Sequence, residues 1–215
     1  MGSTIPHYTD VESLVRRSSL IFPVNVERFA EKAYMRGADC VIMDLEDSVP
    51  EGEKAHARSL IRGYIPVVGK GGGDVAVRIN RPLEQARLDL EASVWPGLAC
   101  VSIPKVESAE EVRLIDQIIS GLERKRGMGA GTVQLAVAVE TALGVVRAYE
   151  IASASPRTVT LGIGAEDLTQ EMGVQTTKEG QELWYAPVEG FDGCLRRRCP
   201  ANRARGCRAL HPAGT

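Results

Sequence analysis

Carboxylate side chains occur where several short apolar runs of this sequence end. They are Glu46, Asp47, Glu140, Glu166 and Asp167, and no histidine cluster accompanies them. Carboxylate oxygens suit Mg²⁺ or Mn²⁺ rather than zinc or copper. Two direct carboxylates, together with water and substrate oxygens, would complete an octahedral shell. The pattern therefore predicts a divalent-metal site for Mg²⁺, with Mn²⁺ as an alternative.

An arginine inside another apolar run supplies a charge of the opposite sign. Arg78 lies within Val75–Asn80, and a buried guanidinium needs an anionic partner. Its planar fork of N–H groups matches a carboxylate, so Arg78 could bind a substrate carboxylate in bidentate fashion. The metal would polarise a substrate carbonyl and hold the enolate that forms when a carbon–carbon bond breaks or forms. These residues predict a site for a small carboxylated substrate with a carbonyl group.

Each of these acidic residues also has a simpler interpretation when it is taken alone. An acid at the end of a strand often caps the next helix or lies in a solvated loop. Asp47 fits the start of the following helix, and Glu107 fits an ion pair with a surface lysine. His56 is interpreted as a helix-surface residue rather than a catalytic one.

Six apolar segments must position these residues, and all six have the pattern of β-strands. They are short and nearly continuously hydrophobic, as expected for parallel strands covered on both faces. The predicted strands are Ser19–Pro23, Cys40–Asp44, Val75–Asn80, Ala99–Pro104, Leu135–Glu140 and Val159–Ile163.

Helix signals separate the predicted strands. Asn25 is the predicted N-cap of the first helix, and Gly37 is its predicted end. Ser108, followed by Glu111 three residues later, fits a capping box that opens a long helix. The predicted helices are Val26–Arg36, Glu84–Val94, a segment from Ser108 to about Arg126, and Ala142–Ala154.

Strands that alternate with helices indicate parallel βα units, in either a doubly wound sheet or a (β/α)₈ barrel. Charged or amide residues follow nearly every predicted strand. A barrel brings all strand carboxyl ends to one face, whereas a doubly wound sheet concentrates such residues at one switch point. The predicted fold class is therefore α/β, a TIM-type (β/α)₈ barrel with about six recognisable βα units and the last two missing.

The glycine run Gly69–Gly73 precedes a strand and predicts a turn rather than a phosphate-binding loop.

Composition excludes several classes of protein. The 215 residues contain 26 Lys+Arg and 28 Asp+Glu, and 44% of them are hydrophobic. This balance argues against a chain built to hold nucleic acid and against intrinsic disorder. No apolar run approaches about 18 residues, and the amino terminus lacks a secretory pattern. We therefore expect a cytoplasmic globular protein with neither a nucleic-acid nor a membrane partner.

The sequence divides into three parts of different character. We expect residues 1–12 to form an amino-terminal arm, 13–186 an incomplete barrel domain, and 187–215 an Arg/Cys-rich tail that is not part of the barrel. One hypothesis for the tail is an internal deletion followed by out-of-frame translation. The alternative is a zinc knuckle, although its spacing matches no common finger. The four residues of that knuckle are Cys194, Cys199, Cys207 and His211.

Six motifs lie along the chain, and their order is itself informative. They are Arg17–Pro23, Asp44–Val49, Val77–Asn80, Ile103–Ser108, Val139–Ala142 and Gly164–Asp167. Together and in this order, they resemble the HpcH/HpaI aldolase and citrate lyase superfamily, particularly its citrate lyase β-subunit-like and malyl-CoA-lyase-like branch. The resemblance covers about residues 13–186. It implies a (β/α)₈ barrel that uses Mg²⁺ and a metal-stabilised enolate to make or cleave carbon–carbon bonds in 3-hydroxy acids or their CoA thioesters.

The same resemblance implies roles for the acidic residues. Glu140 and Asp167 match the direct metal ligands, and Glu140 also belongs to the implied catalytic and substrate-binding residues. Glu46 and Asp47 match acids that hold metal-bound waters in the second shell.

The resemblance also assigns two arginines to catalysis and substrate binding. Arg78 matches the arginine that binds the substrate carboxylate, and Arg17 matches an arginine near the substrate and CoA entrance. The implied partners are a carboxylate or acyl-CoA substrate and further copies of the chain in a homo-oligomer. The alternative is a non-catalytic truncated remnant, or an oligomer subunit, that retains metal binding.

Overall fold

Six parallel β-strands form one sheet, and their order in the sheet follows their order in the chain. The computed structural model describes residues 16–183. A sheet wound in one direction has no point at which the strand order reverses, so it has the winding of a barrel rather than of a doubly wound fold. The strands are β1 (Ser19–Pro23), β2 (Cys40–Asp44), β3 (Asp74–Arg78), β4 (Cys100–Ile103), β5 (Gln134–Val139) and β6 (Thr158–Ile163).

Helices follow the strands along the described part of the chain. Seven of them are α-helical, and short 3₁₀ turns extend some of their ends. The α-helices are α1 (Glu27–Ala33), α2 (Lys54–Val68), α3 (Leu83–Ser93), α4 (Ala109–Lys125), α5 (Ala142–Val146), α6 (Ala148–Ala152) and α7 (Ala165–Glu171).

The two faces of the sheet bury different kinds of side chain. Successive residues of a strand point to opposite faces, and β3 shows the division. Val75 and Val77 join the main hydrophobic core, whereas Ala76 packs with Cys40 and Cys100 in a small separate cluster. Large aliphatic residues therefore hold the helices on one face, and small residues line part of the other face.

Strand prediction from the sequence is confirmed closely. The bounds of β1 and β2 are those predicted. β3, β4 and β5 differ by one or two residues at each end, and β6 begins one residue earlier than predicted and ends as predicted. The glycine run is confirmed as a turn that leads into β3. A Cβ atom at Gly73 would lie 2.5 Å from the backbone oxygen of Ala38, so the turn packs too closely for a larger residue.

Helix prediction is less accurate than strand prediction. The expected helix Ala142–Ala154 is two short helices, α5 and α6, that meet at Arg147. The expected N-cap role of Asn25 is wrong, because Val26 occupies that position and the Asn25 side chain donates to Glu53 instead. The predicted end of the first helical segment at Gly37 is confirmed, since this residue has a φ of 68°.

The predicted capping box of α4 is present in a modified form. The Ser108 hydroxyl accepts a hydrogen bond from the backbone N–H of Glu111 at 3.3 Å. The Glu111 carboxylate accepts from the N–H of Glu107, one residue before the expected donor. The start of α4 is therefore fixed by reciprocal hydrogen bonds, as the sequence predicts.

Buried ion pairs attach the start of β6 to α4. Arg157 is 1% exposed, and its Nε lies 2.6 Å from Asp116 while its Nη2 lies 2.6 Å from Glu123. Glu123 also accepts hydrogen bonds from the backbone N–H groups of Gly131 and Val133. One guanidinium and one carboxylate thus join α4, the loop before β5, and the start of β6.

The sheet is an open barrel within residues 16–183. β1 and β6 are its two edge strands, and each pairs with only one described neighbour. In the same range, no helix is both long enough and apolar enough to cross a membrane. The predicted amino-terminal arm and the Arg/Cys-rich tail, with its four possible zinc ligands, lie outside the described residues.

Candidate active site

Charged side chains from five strands meet at the carboxyl edge of the sheet. Ion pairs connect Arg78 at the end of β3 with Glu46 and Asp47 after β2. Glu140 follows β5 directly, and Asp167 lies in the first turn of α7 after β6. The structure therefore brings these five predicted site residues together. We call Glu46, Asp47, Glu140 and Asp167 the acidic cluster.

Arg78 is held in a fixed orientation by the strand beside it. Asp44 is its register partner in β2, and the Asp44 carboxylate accepts from Arg78 Nε at 2.6 Å and from Nη2 at 2.7 Å. Ser48 donates its hydroxyl and backbone N–H to the same carboxylate. Although burial opposes the charge, these donors lower the pKa of Asp44. No sequence pattern assigns Asp44 a role; the available signal is that two predicted strands end in residues of opposite charge, Asp44 and Arg78.

Glu46 and Asp47 form a coupled pair beside Arg78. The third guanidinium nitrogen, Nη1, lies 3.1 Å from Glu46 and 3.7 Å from Asp47. Burial and the neighbouring Asp47 raise the pKa of Glu46. Burial also opposes ionisation of Asp47, but its hydrogen bond with Glu46 and the nearby cations lower its pKa. Asp47 therefore favours its charged form more strongly than Glu46 does.

A lysine that sequence analysis left without a role reaches the same acids. Lys105 Nζ lies 3.0 Å from Glu46, 3.3 Å from Asp47 and 3.5 Å from Asp167. Burial opposes its charge, but the hydrogen bond to Glu46 and the surrounding carboxylates raise the pKa of Lys105. The available signal in the sequence was a lysine two residues beyond the end of a strand. The direction in which its side chain points depends on a backbone conformation that the sequence pattern does not show.

Glu140 is buried, and it is the acid of the cluster for which no described lysine or arginine lies within ion-pair distance. It is 8% exposed, and its Oε2 has no hydrogen-bond partner among the described residues. Burial, and then the adjacent Asp167, raise the pKa of Glu140 to about 7. A carboxylate in this position is stabilised if a cation binds between the two acids.

A glycine allows Glu140 to lie where it does. A Cβ atom at Gly164 would approach the Glu140 side chain to 2.5 Å at Cγ and 2.8 Å at Oε1. Real Cβ atoms do not come this close to carbon, so any larger residue at position 164 must displace the carboxylate. Gly164 follows β6 and precedes α7, and it therefore sets the spacing between the two acids.

A buried lysine supports the loop that carries Glu46. Lys54 Nζ donates to the backbone oxygens of Leu45 at 3.0 Å and Glu46 at 3.1 Å, and to Asn80 at 2.6 Å. Asn80 in turn donates to Leu45 and to the fully buried Asp89. This network fixes the backbone after β2, and the sequence offered only a lysine near the start of a helix as its signal.

Arg17 lies away from the acidic cluster. It precedes β1 at the amino end of the sheet, its side chain is 81% exposed, and its guanidinium pairs with Asp39 at 3.0 Å. This hydrogen bond lowers the pKa of Asp39 to about 2. A strand of five residues separates Arg17 from the carboxyl edge, which is about 17 Å. The structure therefore places Arg17 at the edge of the sheet opposite the acidic cluster, and its role near a substrate and CoA entrance stays a prediction.

The chemistry of the cluster fits a magnesium ion. Within residues 16–183, no three histidine, cysteine or acidic side chains form a ready-made ligand set. Mg²⁺ does not need one, because it keeps several waters and binds through one or two carboxylates together with substrate oxygens. Glu140 and Asp167 provide two such carboxylates, and the unpartnered Oε2 of Glu140 is a free ligand atom.

Two groups of named enzymes are similar to this chain in sequence. It is 36% identical over 173 residues to citrate lyase subunit beta of Leuconostoc mesenteroides subsp. cremoris, with 80% of this chain and 57% of that protein covered. It is 36% identical over 180 residues to an L-malyl-CoA/beta-methylmalyl-CoA lyase of Cereibacter sphaeroides, with 81% and 56% covered. The chain thus spans less than two thirds of the length of these relatives.

Solved structures with the same fold contain magnesium. The citrate lyase beta subunit of Mycobacterium tuberculosis in complex with oxaloacetate and magnesium is 30% identical, with a TM-score of 0.58 over 83% of this chain and 74% of that one. CitE of the same organism, in complex with magnesium, acetoacetate and coenzyme A, is 29% identical, with a TM-score of 0.60 over 84% and 63%. Residues 17–209 match the sequence pattern of the HpcH/HpaI aldolase/citrate lyase family. The chain therefore belongs to the HpcH/HpaI aldolase/citrate lyase family.

Proposed function

We propose that this chain is a Mg²⁺-dependent carbon–carbon lyase that acts on a 3-hydroxy acid or its CoA thioester. The observation that carries the proposal is the buried, unpartnered oxygen of Glu140 beside Asp167. Two relatives support the reaction class, since they are named as a citrate lyase subunit and a malyl-CoA lyase. Glu140 and Asp167 would hold the ion, which when bound supplies Lewis-acid polarisation of a substrate carbonyl.

The remaining residues of the site bind and orient. Asp44 fixes the guanidinium of Arg78. A substrate carboxylate would bind the N–H groups that Asp44 does not use, and it would replace the ion pair between Nη1 and Glu46. Glu46 and Asp47 accept hydrogen bonds and would order water at the site. The network through Lys54 keeps the backbone of these two acids in place.

Neutralising either proposed metal ligand should abolish tight Mg²⁺ binding. Asp167→Asn and Glu140→Gln each remove a charged ligand oxygen, so isothermal titration should show a loss of more than about tenfold in affinity. Glu166→Gln is the matched control, because Glu166 lies on the exposed side of the same helical turn. Equal Mg²⁺ affinity in all three variants would show that the ligands are assigned wrongly.

The same proteins test catalysis. Cleavage of malyl-CoA and citramalyl-CoA, followed as release of the acyl-CoA product, should require Mg²⁺ and should be lost in Glu140→Gln. Within residues 16–183, β1 and β6 each pair with a single strand, and these edges favour a second function, that of a non-catalytic, metal-binding subunit of an oligomer. Mg²⁺ binding without turnover of either substrate, together with association in sedimentation experiments, would support this second function.

The proton on Glu140 should make stability depend on pH when metal is absent. The pKa is about 7 in the folded chain and near its ordinary value of about 4.3 in the unfolded chain. Between these values the folded state holds a proton that the unfolded state has lost, so stability should fall as pH rises from about 5 to 7. Urea unfolding in EDTA should show this slope for wild type and a smaller slope for Glu140→Gln. Identical slopes would contradict the raised pKa.

A further inference from the structure

Lys105 has an unusual backbone conformation for its residue type. Its φ is 51°, and it is the one non-glycine residue with positive φ within residues 16–183. Lysine gains nothing locally from the left-handed region, so the surrounding structure must impose this conformation. The next residue, Val106, is fully buried, and its N–H donates to Ala138 at 3.0 Å. The chain is thus anchored directly after Lys105.

This conformation directs the Lys105 side chain into the acidic cluster. The ammonium contacts Glu46 and Asp47 from the end of β2 and Asp167 from the end of β6. Its side chain is 28% exposed, so the contacts lie partly out of solvent. An ordinary surface ion pair joins two residues and does not need a strained backbone. One cation that connects three carboxylates from opposite sides of the site has a more specific role.

We propose that Lys105 is a tethered cation that neutralises the acidic cluster when no metal is bound and that competes with a divalent ion for Asp167. The inference rests on the proposed function, because it takes Asp167 as a ligand of that ion. An ammonium 3.5 Å from Asp167 and a metal on the same carboxylate are like charges at short range. Metal binding must therefore release Lys105 from Asp167 and leave it with Glu46 and Asp47.

The charge of Lys105 should weaken metal binding while it stabilises the metal-free protein. In Lys105→Met, an unbranched apolar side chain replaces the cation, and Mg²⁺ affinity by isothermal titration should rise about tenfold, since a like charge is removed from beside the ion. In EDTA the same variant should melt at a lower temperature than wild type, and saturating Mg²⁺ should raise its Tm by more than it raises that of wild type. Lys105→Arg keeps the charge, so its affinity should stay within about threefold of wild type.

A measurement on the unaltered protein tests the release of Lys105 directly. Acetylation by an amine-reactive ester, quantified by peptide mass spectrometry, should modify Lys105 faster in Mg²⁺ than in EDTA. The exposed Lys125 on α4 serves as the internal reference, and its rate should not change. Equal Lys105 rates in Mg²⁺ and EDTA would overturn the proposal, even if Lys105→Met failed to fold.

The two proposals fail in different ways. If Asp167→Asn loses Mg²⁺ and Lys105→Met binds it with unchanged or lower affinity, the metal site stands and competition by Lys105 is overturned. If neither wild type nor Lys105→Met binds Mg²⁺, the proposed function and the role of Lys105 are both overturned. The proposal is supported if Lys105→Met binds Mg²⁺ more tightly than wild type and Lys105→Arg, which keeps the charge, binds it with about the wild-type affinity.

Discussion

Gly164→Ala should lose Mg²⁺ binding by more than about tenfold, although it adds a single methyl group. That methyl would lie 2.5 Å from Cγ of Glu140, so the Glu140 carboxylate must leave its present position. The backbone itself does not forbid alanine, because Gly164 has a φ of −83° and a ψ of 93°. The loss should therefore arise from displacement of one ligand and not from strain in the loop.

Gly162, in the strand that precedes Gly164, provides the control for this variant. A Cβ atom at Gly162 would approach nothing closer than the backbone oxygen of Val137 at 4.0 Å. Gly162→Ala should therefore keep wild-type Mg²⁺ affinity by isothermal titration. Gly164→Ala should lower the free energy of unfolding by about 1–3 kcal/mol, as overpacked sites do. Normal Mg²⁺ affinity in Gly164→Ala would mean that Glu140 is not a ligand.

Arg157→Met should destabilise the fold by about 3–5 kcal/mol, because it leaves buried carboxylates without their cation. Glu123 loses both guanidinium contacts, at 2.8 Å and 2.6 Å, and its side chain is 2% exposed. Asp116 loses its contact at 2.6 Å as well. Urea unfolding followed by circular dichroism measures the loss. Although burial opposes the charge of Glu123, Arg157 lowers the pKa of this acid, so the loss should be larger at neutral than at acidic pH.

Two further variants separate the buried pair from ion pairs in general. Arg113→Met removes an exposed pair with Glu110 on the same helix, and it should change stability by less than about 0.5 kcal/mol. The double variant Glu123→Met/Arg157→Met removes both buried charges, so it should recover part of the stability that Arg157→Met loses. A loss for Arg157→Met no larger than that for Arg113→Met would show that the network contributes little.

The strands could be predicted because each is a short, local, mostly apolar run of residues. Cys40–Asp44 is an example, since its predicted bounds are those of β2. The helix α2 could not be predicted in the same way, because Gly63 and Pro66 interrupt its pattern and a proline removes one helical hydrogen bond. It forms because Ile61, Ile65 and other residues on one face are buried in the core, and tertiary packing outweighs propensity there.

The residues of the candidate site could be predicted only in part. Polar side chains at the carboxyl ends of parallel strands lie at one edge of the sheet. The grouping of Glu46, Arg78 and Glu140 could therefore be predicted from the pattern of strands in the sequence. Asp44 requires the register that places it beside Arg78, and Lys105 requires the left-handed conformation that turns it toward the acids. Both the register and this conformation arise from tertiary structure, and local sequence patterns do not show them.

The order of the strands bears on how the protein is made. Each described strand after the first pairs with the one before it in the chain. A strand that leaves the ribosome therefore finds its partner already synthesised, and only the intervening loop and helix must close. Pairings between neighbours in sequence also form faster than pairings between distant segments. We expect the sheet to assemble one βα unit at a time, in step with synthesis.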